Sequence, residues 1–135
     1  MAHDHGTCLC GAVQFEIHGQ FEGFFLCHCR RCRKGSGSAH AANLFSPSGR
    51  VHWLTGADRV VQFTVPGTRH VRAFCSACGA PLPRAEAGGG VVVPAGSLDS
   101  TPSITPQAHI FSGHRAPWDD ALETLPRFES LPGQG

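Results

Sequence analysis

Seven cysteines in a chain of 135 residues fall into three tight clusters, "CLC" at Cys8 and Cys10, "CHCRRC" at Cys27, Cys29 and Cys32, and "CSAC" at Cys75 and Cys78. Nothing else in the sequence restricts the fold so strongly. An odd number does not close a disulfide framework. Clustered cysteines in a reducing compartment are more often metal ligands than disulfides. The chain is therefore expected to fold around bound metal.

The two outer pairs come from distant parts of the chain and can meet as a closed tetrahedral Cys₄ site, the usual form of structural zinc. Gly79 follows Cys78 directly, as tight metal-binding turns often require. The competing reading of Cys75-x-x-Cys78 is a redox pair, but no strand–helix–strand pattern surrounds it. Cys27, Cys29 and Cys32 are then left with one another. Three protein ligands and an exchangeable fourth position are the logic of a catalytic zinc, and soft thiolates there would accept another thiolate. A histidine could instead close the site. His28 sits between two ligands and should point away from a metal that its neighbours share, whereas His40, His52, His70, His109 and His114 are open alternatives. Arg30, Arg31, Arg33 and Lys34 crowd this cluster. They would stabilise a negatively charged zinc–thiolate centre or steer an anionic substrate, although for any single one of them a solvated turn with ordinary surface charge is the commoner reading.

The rest of the sequence reads as mainly β. Residues 12–18 alternate Val13, Phe15 and Ile17 against polar neighbours, the period of a half-buried strand. Residues 24–26 are a short apolar run leading into the cysteine cluster, 51–54, 60–65 and 70–74 read as strands, with Pro66-Gly67 turning 60–65 back on 70–74, and 91–93 and 109–111 are short β candidates. No window carries helical periodicity over three turns, and residues 119–122 are expected to form a single turn. The glycine run at 88–90 reads as a loop, and the last residues, "LPGQG", as a fraying end. Gly (17) and Pro (10) are abundant while charged residues are only 16%, which suits short strands and many turns. The length suits one domain, residues 1–135 with a core over about 6–128.

Composition also restricts function. The formal charge is +1, and seven thiolates with two zinc ions would lower it by three units, which argues against nucleic acid as a partner. No apolar run approaches the roughly 20 residues of a membrane span, and the N-terminus lacks the pattern of a secretory signal. A cytoplasmic location is expected.

The segments "GTCLCGAVQFEI", "CHCRRCRKGSGS", "RAFCSACGAPL", "PAGSLDS", "HIFSGHRAPW" and "LPRF" together resemble the glutathione-dependent formaldehyde-activating enzyme (Gfa) family from about Gly6 to Phe128. The resemblance implies an Mss4-like fold of small antiparallel β-sheets organised around zinc. It implies two zinc ions, a structural one on Cys8, Cys10, Cys75 and Cys78 and a catalytic one on Cys27, Cys29 and Cys32. The implied chemistry is that of a carbon–sulfur lyase, addition of glutathione or a related small thiol to formaldehyde or another small carbonyl. His40, His109 and Asp99 are candidate proton donors by residue type alone. Within "AGSLD", Leu98 should pack and Asp99 should cap a turn. Trp118 is expected to anchor the C-terminal segment on the core, with a pocket wall as its other possible place. The alternative function is a non-catalytic zinc module that binds a thiol ligand or a protein partner.

Overall fold

The computed structural model describes residues 3–133. Eleven short strands follow one another as β1 (Asp4–Thr7), β2 (Gln14–His18), β3 (Gly23–Cys27), β4 (Ala41–Ser46), β5 (Arg50–Thr55), β6 (Val60–Thr64), β7 (Val71–Cys75), β8 (Pro81–Leu82), β9 (Arg84–Ala85), β10 (Val91–Pro94) and β11 (Ala108–Ile110). They make three small sheets, ordered β1-β2-β5, β11-β3-β4-β10-β9 and β6-β7-β8. Every pairing is antiparallel except β11 with β3, which run parallel with Ile110 opposite Cys27. The mainly β, Mss4-like expectation fits this arrangement.

The alternation in β2 does what its period predicts. Phe15 and Ile17 are buried, and Phe15 meets Trp53 of β5 edge-on at 5.9 Å between ring centroids. Val13, Phe24, Leu44, Leu82, Val91 and Val93 complete one apolar cluster shared by the sheets. Each such side chain removed from water contributes about 1.5–3 kcal/mol before the entropy of ordering is subtracted. All three valines of β10 are buried because the strand is covered on both faces, so it reads as a continuous apolar run. Ser46, also buried, donates to the Gln20 carbonyl at 2.6 Å. The hairpin of β6 and β7 has the expected partners, Val60 opposite Cys75 and Thr64 opposite Val71. Leu98 packs on the core, as expected.

A two-turn helix, α1 (Arg30–Ser36), occupies a region expected to hold only turns. Seven residues are too few to display an amphipathic period, and in isolation too few to be stable. Its ends explain it. The Cys29 sulfur accepts from the Cys32 N–H at 3.4 Å as the N-cap. At the other end Gly37 takes the left-handed conformation (φ 66°) and donates to the Arg33 carbonyl at 2.8 Å. Arg33 and Lys34 lie in the last turn, where cations suit the helix dipole. Arg72 of β7 ties the helix down, with its Nε donating to the Gly35 carbonyl at 2.9 Å.

Two further expectations need correction. The single turn near the C-terminus falls at Leu122–Thr124 rather than at 119–122. Trp118 does not anchor the core: it is 62% exposed. It lines a surface depression together with Arg30, Arg33 and Lys34. The part of "LPGQG" beyond residue 133 lies outside the described residues. Among the described residues no helix is long and apolar enough to cross a membrane.

Candidate metal centres

The four sulfurs of Cys8, Cys10, Cys75 and Cys78 lie within 4.8 Å of one another. Cys8 and Cys10 come from the turn between β1 and β2, and Cys75 and Cys78 from the end of β7 and the turn that follows. The sulfurs are 3.6 Å apart from Cys8 to Cys10 and 4.0 Å from Cys10 to Cys75. A regular tetrahedron with zinc–sulfur bonds of about 2.3 Å has sulfur–sulfur edges of about 3.8 Å, so the set fits such an ion. The turns are built for it. Gly79, at φ 75°, lets the Cys75–Cys78 knuckle close with a 2.7 Å bond from the Gly79 N–H to the Cys75 carbonyl. The Cys8 sulfur accepts from the Val13 N–H at 3.2 Å.

The electrostatics of the set also ask for a cation. The Ala80 N–H draws the Cys78 thiol down to about 6. Cys10 is pushed up to about 11: the Ala12 N–H lowers it, but the neighbouring thiol of Cys8, with burial and the other two sulfurs, outweighs that. One thiol ionises readily and its neighbour resists sharing the negative charge. A divalent cation removes the conflict, because it takes all four as thiolates.

The second cluster is assembled differently. Cys27 ends β3, Cys29 caps α1, and Cys32 lies in the first turn of that helix. Their sulfurs are again within 4.8 Å of one another. Burial pushes Cys27 and Cys32 up. Burial acts on Cys29 in the same sense, but the N–H of Cys32 and further hydrogen bonds outweigh it and lower the thiol. Among the described residues no histidine or carboxylate joins the three sulfurs as a fourth ligand.

His28, as expected, faces elsewhere. It is buried, and both ring nitrogens are committed, Nε2 to His109 Nδ1 at 2.8 Å and Nδ1 within 2.8 Å of the Asp119 carboxylate. The contact to Asp119 is close but not aligned as a hydrogen bond. His40 stands beside this pair, 5.2 Å from His28 between ring centroids. Asp119 gave no sign of this role in the sequence, because its partner lies 91 residues away in the chain.

A cleft of about 440 Å³ opens on the Cys32 side of the second cluster. Leu9, between the two outer ligands Cys8 and Cys10, lies on its opposite rim, so the cleft runs from one cysteine cluster towards the other. Of the three candidate proton donors only His40 lines it. Burial, with His28 and His109 nearby, holds His40 below the ordinary imidazole range. His109 is occupied by His28, and Asp99 accepts from the Thr7 hydroxyl. Sequence reasoning missed the cations of the cleft, Arg72 and Arg84, which no spacing pattern marks. The basic cluster it did single out lies mostly elsewhere, with Arg30, Arg33 and Lys34 around the Trp118 depression.

A family model described as glutathione-dependent formaldehyde-activating enzyme matches residues 3–114, which hold all seven cysteines. The chain belongs to this family. A Halomonas elongata protein, whose name assigns it provisionally as a glutathione-dependent formaldehyde-activating enzyme, is 34% identical over 85 residues, 57% of this chain and 52% of its own length. The chain thus spans about half the length of that curated relative. A crystal structure of a Rhodobacter sphaeroides protein superposes with a TM-score of 0.57 at 23% identity, covering 78% of this chain and 98% of that one. At that identity the likeness speaks for the fold alone. For a member of the Gfa family, a closed four-cysteine set and a separate three-cysteine set beside a cleft are the features that any functional account must use.

Proposed function

We propose that the protein binds two zinc ions and catalyses the addition of a small thiol, of the glutathione type, to formaldehyde or a comparable small carbonyl. In this reading Cys8, Cys10, Cys75 and Cys78 hold a structural zinc, and Cys27, Cys29 and Cys32 hold the zinc at which the thiol reacts. The reading is carried by one observation: three sulfurs with no fourth protein ligand among the described residues, bordering a cleft through Cys32. The family description and the cysteine chemistry support it.

Zinc at the three-cysteine site would hold an incoming thiol as thiolate at neutral pH. The chain supplies the rest. The Cys29 sulfur accepts the Cys32 N–H at 3.4 Å, so this ligand is oriented by the chain itself. The apolar walls exclude water from the reacting carbon. His40, uncharged near neutral pH because its pKa is lowered, can take the thiol proton and return one to the developing alkoxide. The atoms balance. The sulfur electron pair forms the new carbon–sulfur bond, the carbonyl π pair moves to oxygen, and the proton lost from sulfur ends on that oxygen. The reverse reaction is carbon–sulfur bond cleavage, a lyase step. Seven reduced thiols suit a reducing compartment such as the cytoplasm.

Cys29→Ser tests the reading. Serine is itself a preferred N-cap, so α1 should keep its first turn while the metal loses a thiolate. We expect about one zinc equivalent to be lost and the sulfur-to-cobalt absorption induced by glutathione in cobalt-substituted protein to vanish. Unchanged zinc content together with unchanged absorption would refute it.

A further inference from the structure

The cleft beside the three-cysteine site has a charge pattern of its own. Two arginines, Arg72 and Arg84, and two histidines, His40 and His70, line it, and no aspartate or glutamate does. The histidines contribute little positive charge near neutral pH. Burial lowers both, with Arg84 and Arg31 acting further on His70 and the neighbouring histidines on His40. The arginines differ in what they already hold. Arg72 donates from Nε to the Gly35 carbonyl, reaches the Gly79 carbonyl at 3.5 Å, and lies 5.1 Å over the Phe74 ring. Its fork is spent on joining α1 to β7.

Arg84 holds nothing. It is half-buried on β9 opposite Val92, yet its guanidinium makes no hydrogen bond and no ion pair within the described residues. A guanidinium carries five N–H donors in a fork that matches a carboxylate, and leaving it partly desolvated and unpartnered is costly. Burial works against its charge even here; Glu86, with no ion pair to it, and then Cys32 are close enough for their charges to act in its favour. Unlike the arginines and lysine around Trp118, Arg84 shares the cleft with a ligand of the three-cysteine site.

We propose that Arg84 is the carboxylate anchor of this cleft, which makes the protein selective for thiols that carry a carboxylate. The proposal rests on the thiol-binding reading of the three-cysteine site and names its substrate class. The sulfur would approach from the Cys32 side, the carboxylate would pair with the Arg84 fork, and the chain between them would cover Leu9, Ala42, Val71, Ala80, Pro81 and Leu82. These apolar walls favour an organic acid over inorganic phosphate, which would leave them wet. Neutral thiols would lose the anchor and keep only the metal contact.

The probe is S-methylglutathione, which keeps both carboxylates of glutathione but has no thiol for a metal. Its affinity for the zinc-loaded protein is measured by titration calorimetry. Arg84→Gln should weaken binding by about 10- to 100-fold, the range for losing a charge-assisted pair. Arg84→Lys, which keeps the charge without the fork, should fall between the two. The diethyl ester of the probe should bind the unmodified protein as weakly as the acid binds Arg84→Gln, which removes any question of variant folding. Equal affinity of wild type and Arg84→Gln, equal affinity of ester and acid, or no binding of the acid to wild type would each overturn the anchor. The two readings fail separately. If glutathione binds wild type no more tightly than its S-methyl form while Arg84→Gln weakens both, the thiol reading falls and the anchor stands. If glutathione is strongly preferred but Arg84→Gln changes nothing, the anchor falls and the thiol reading stands.

Discussion

Cys75→Ser should cost the protein far more stability than the same change at Cys29. Cys75 is fully buried at the end of β7, within the apolar cluster, and its sulfur is 4.0 Å from that of Cys10. A structural zinc contributes about 10–16 kcal/mol of folding free energy, so one ligand in four accounts for about 2.5–4 kcal/mol. That is a large share of the roughly 5–15 kcal/mol by which domains are stable. With an unfolding entropy of about 2.1 cal/mol/K per residue, the loss translates into a fall of about 9–14 °C in melting temperature. At Cys29, which is half-buried and outside the apolar cluster, the same substitution leaves a competent helix cap, so the fall should be less than half of that at Cys75. Thermal melts by circular dichroism in zinc-containing buffer, with metal counted per chain, measure both variants. The division of roles between the clusters is refuted if Cys75→Ser melts with wild type and keeps its metal, or if Cys29→Ser falls as far as Cys75→Ser.

Two further outcomes follow from particular contacts. His40 has a lowered pKa in the folded state, so the unfolded chain binds more protons as pH falls below the ordinary histidine value of 6.5. The stability it confers is complete above that value and is lost as pH falls towards the lowered one, so His40→Gln should flatten this part of the stability–pH curve measured by urea unfolding between pH 7 and 5. An unchanged slope would show that His40 is not desolvated. Gly56 has φ 74°, and an added Cβ would press into the Ala12 carbonyl, a backbone group that cannot swing aside. Gly56→Ala should therefore cost about 2–4 kcal/mol in the same assay, and a change below about 0.5 kcal/mol would mean that the turn relaxes freely.

Much of the metal chemistry was legible because cysteine spacing is a local property. Cys75-x-x-Cys78 before Gly79 can form only a tight knuckle, and its sulfurs need partners wherever the chain goes. The strand pattern at Phe15 and Ile17 was equally local, since burial on one face of a sheet imposes period two. Helix α1 was not legible, because seven residues held by a cap, a glycine and Arg72 carry no period to detect. Trp118 misled for the opposite reason. A large aromatic in a small domain suggests core, but Trp118 is exposed and shares a surface depression with Arg30, Arg33 and Lys34.

By itself the sequence determined the residue type of both candidate metal sets, the grouping of seven cysteines into a set of four and a set of three, and a mainly β chain to carry them. Spacing and hydrophobic period act over a few residues, so a single sequence displays them directly. The tertiary structure alone decided which charges face the cleft. Arg72 and Arg84 come from different sheets, Cys32 from a helix and Leu9 from a metal-binding turn, and only packing brings them to one place. The same packing turned His28 away towards His109 and Asp119 and left Arg84 without a hydrogen bond or ion pair among the described residues. Which neighbours a side chain finds across 50 or more residues depends on how the sheets stack, and no local pattern encodes that contact.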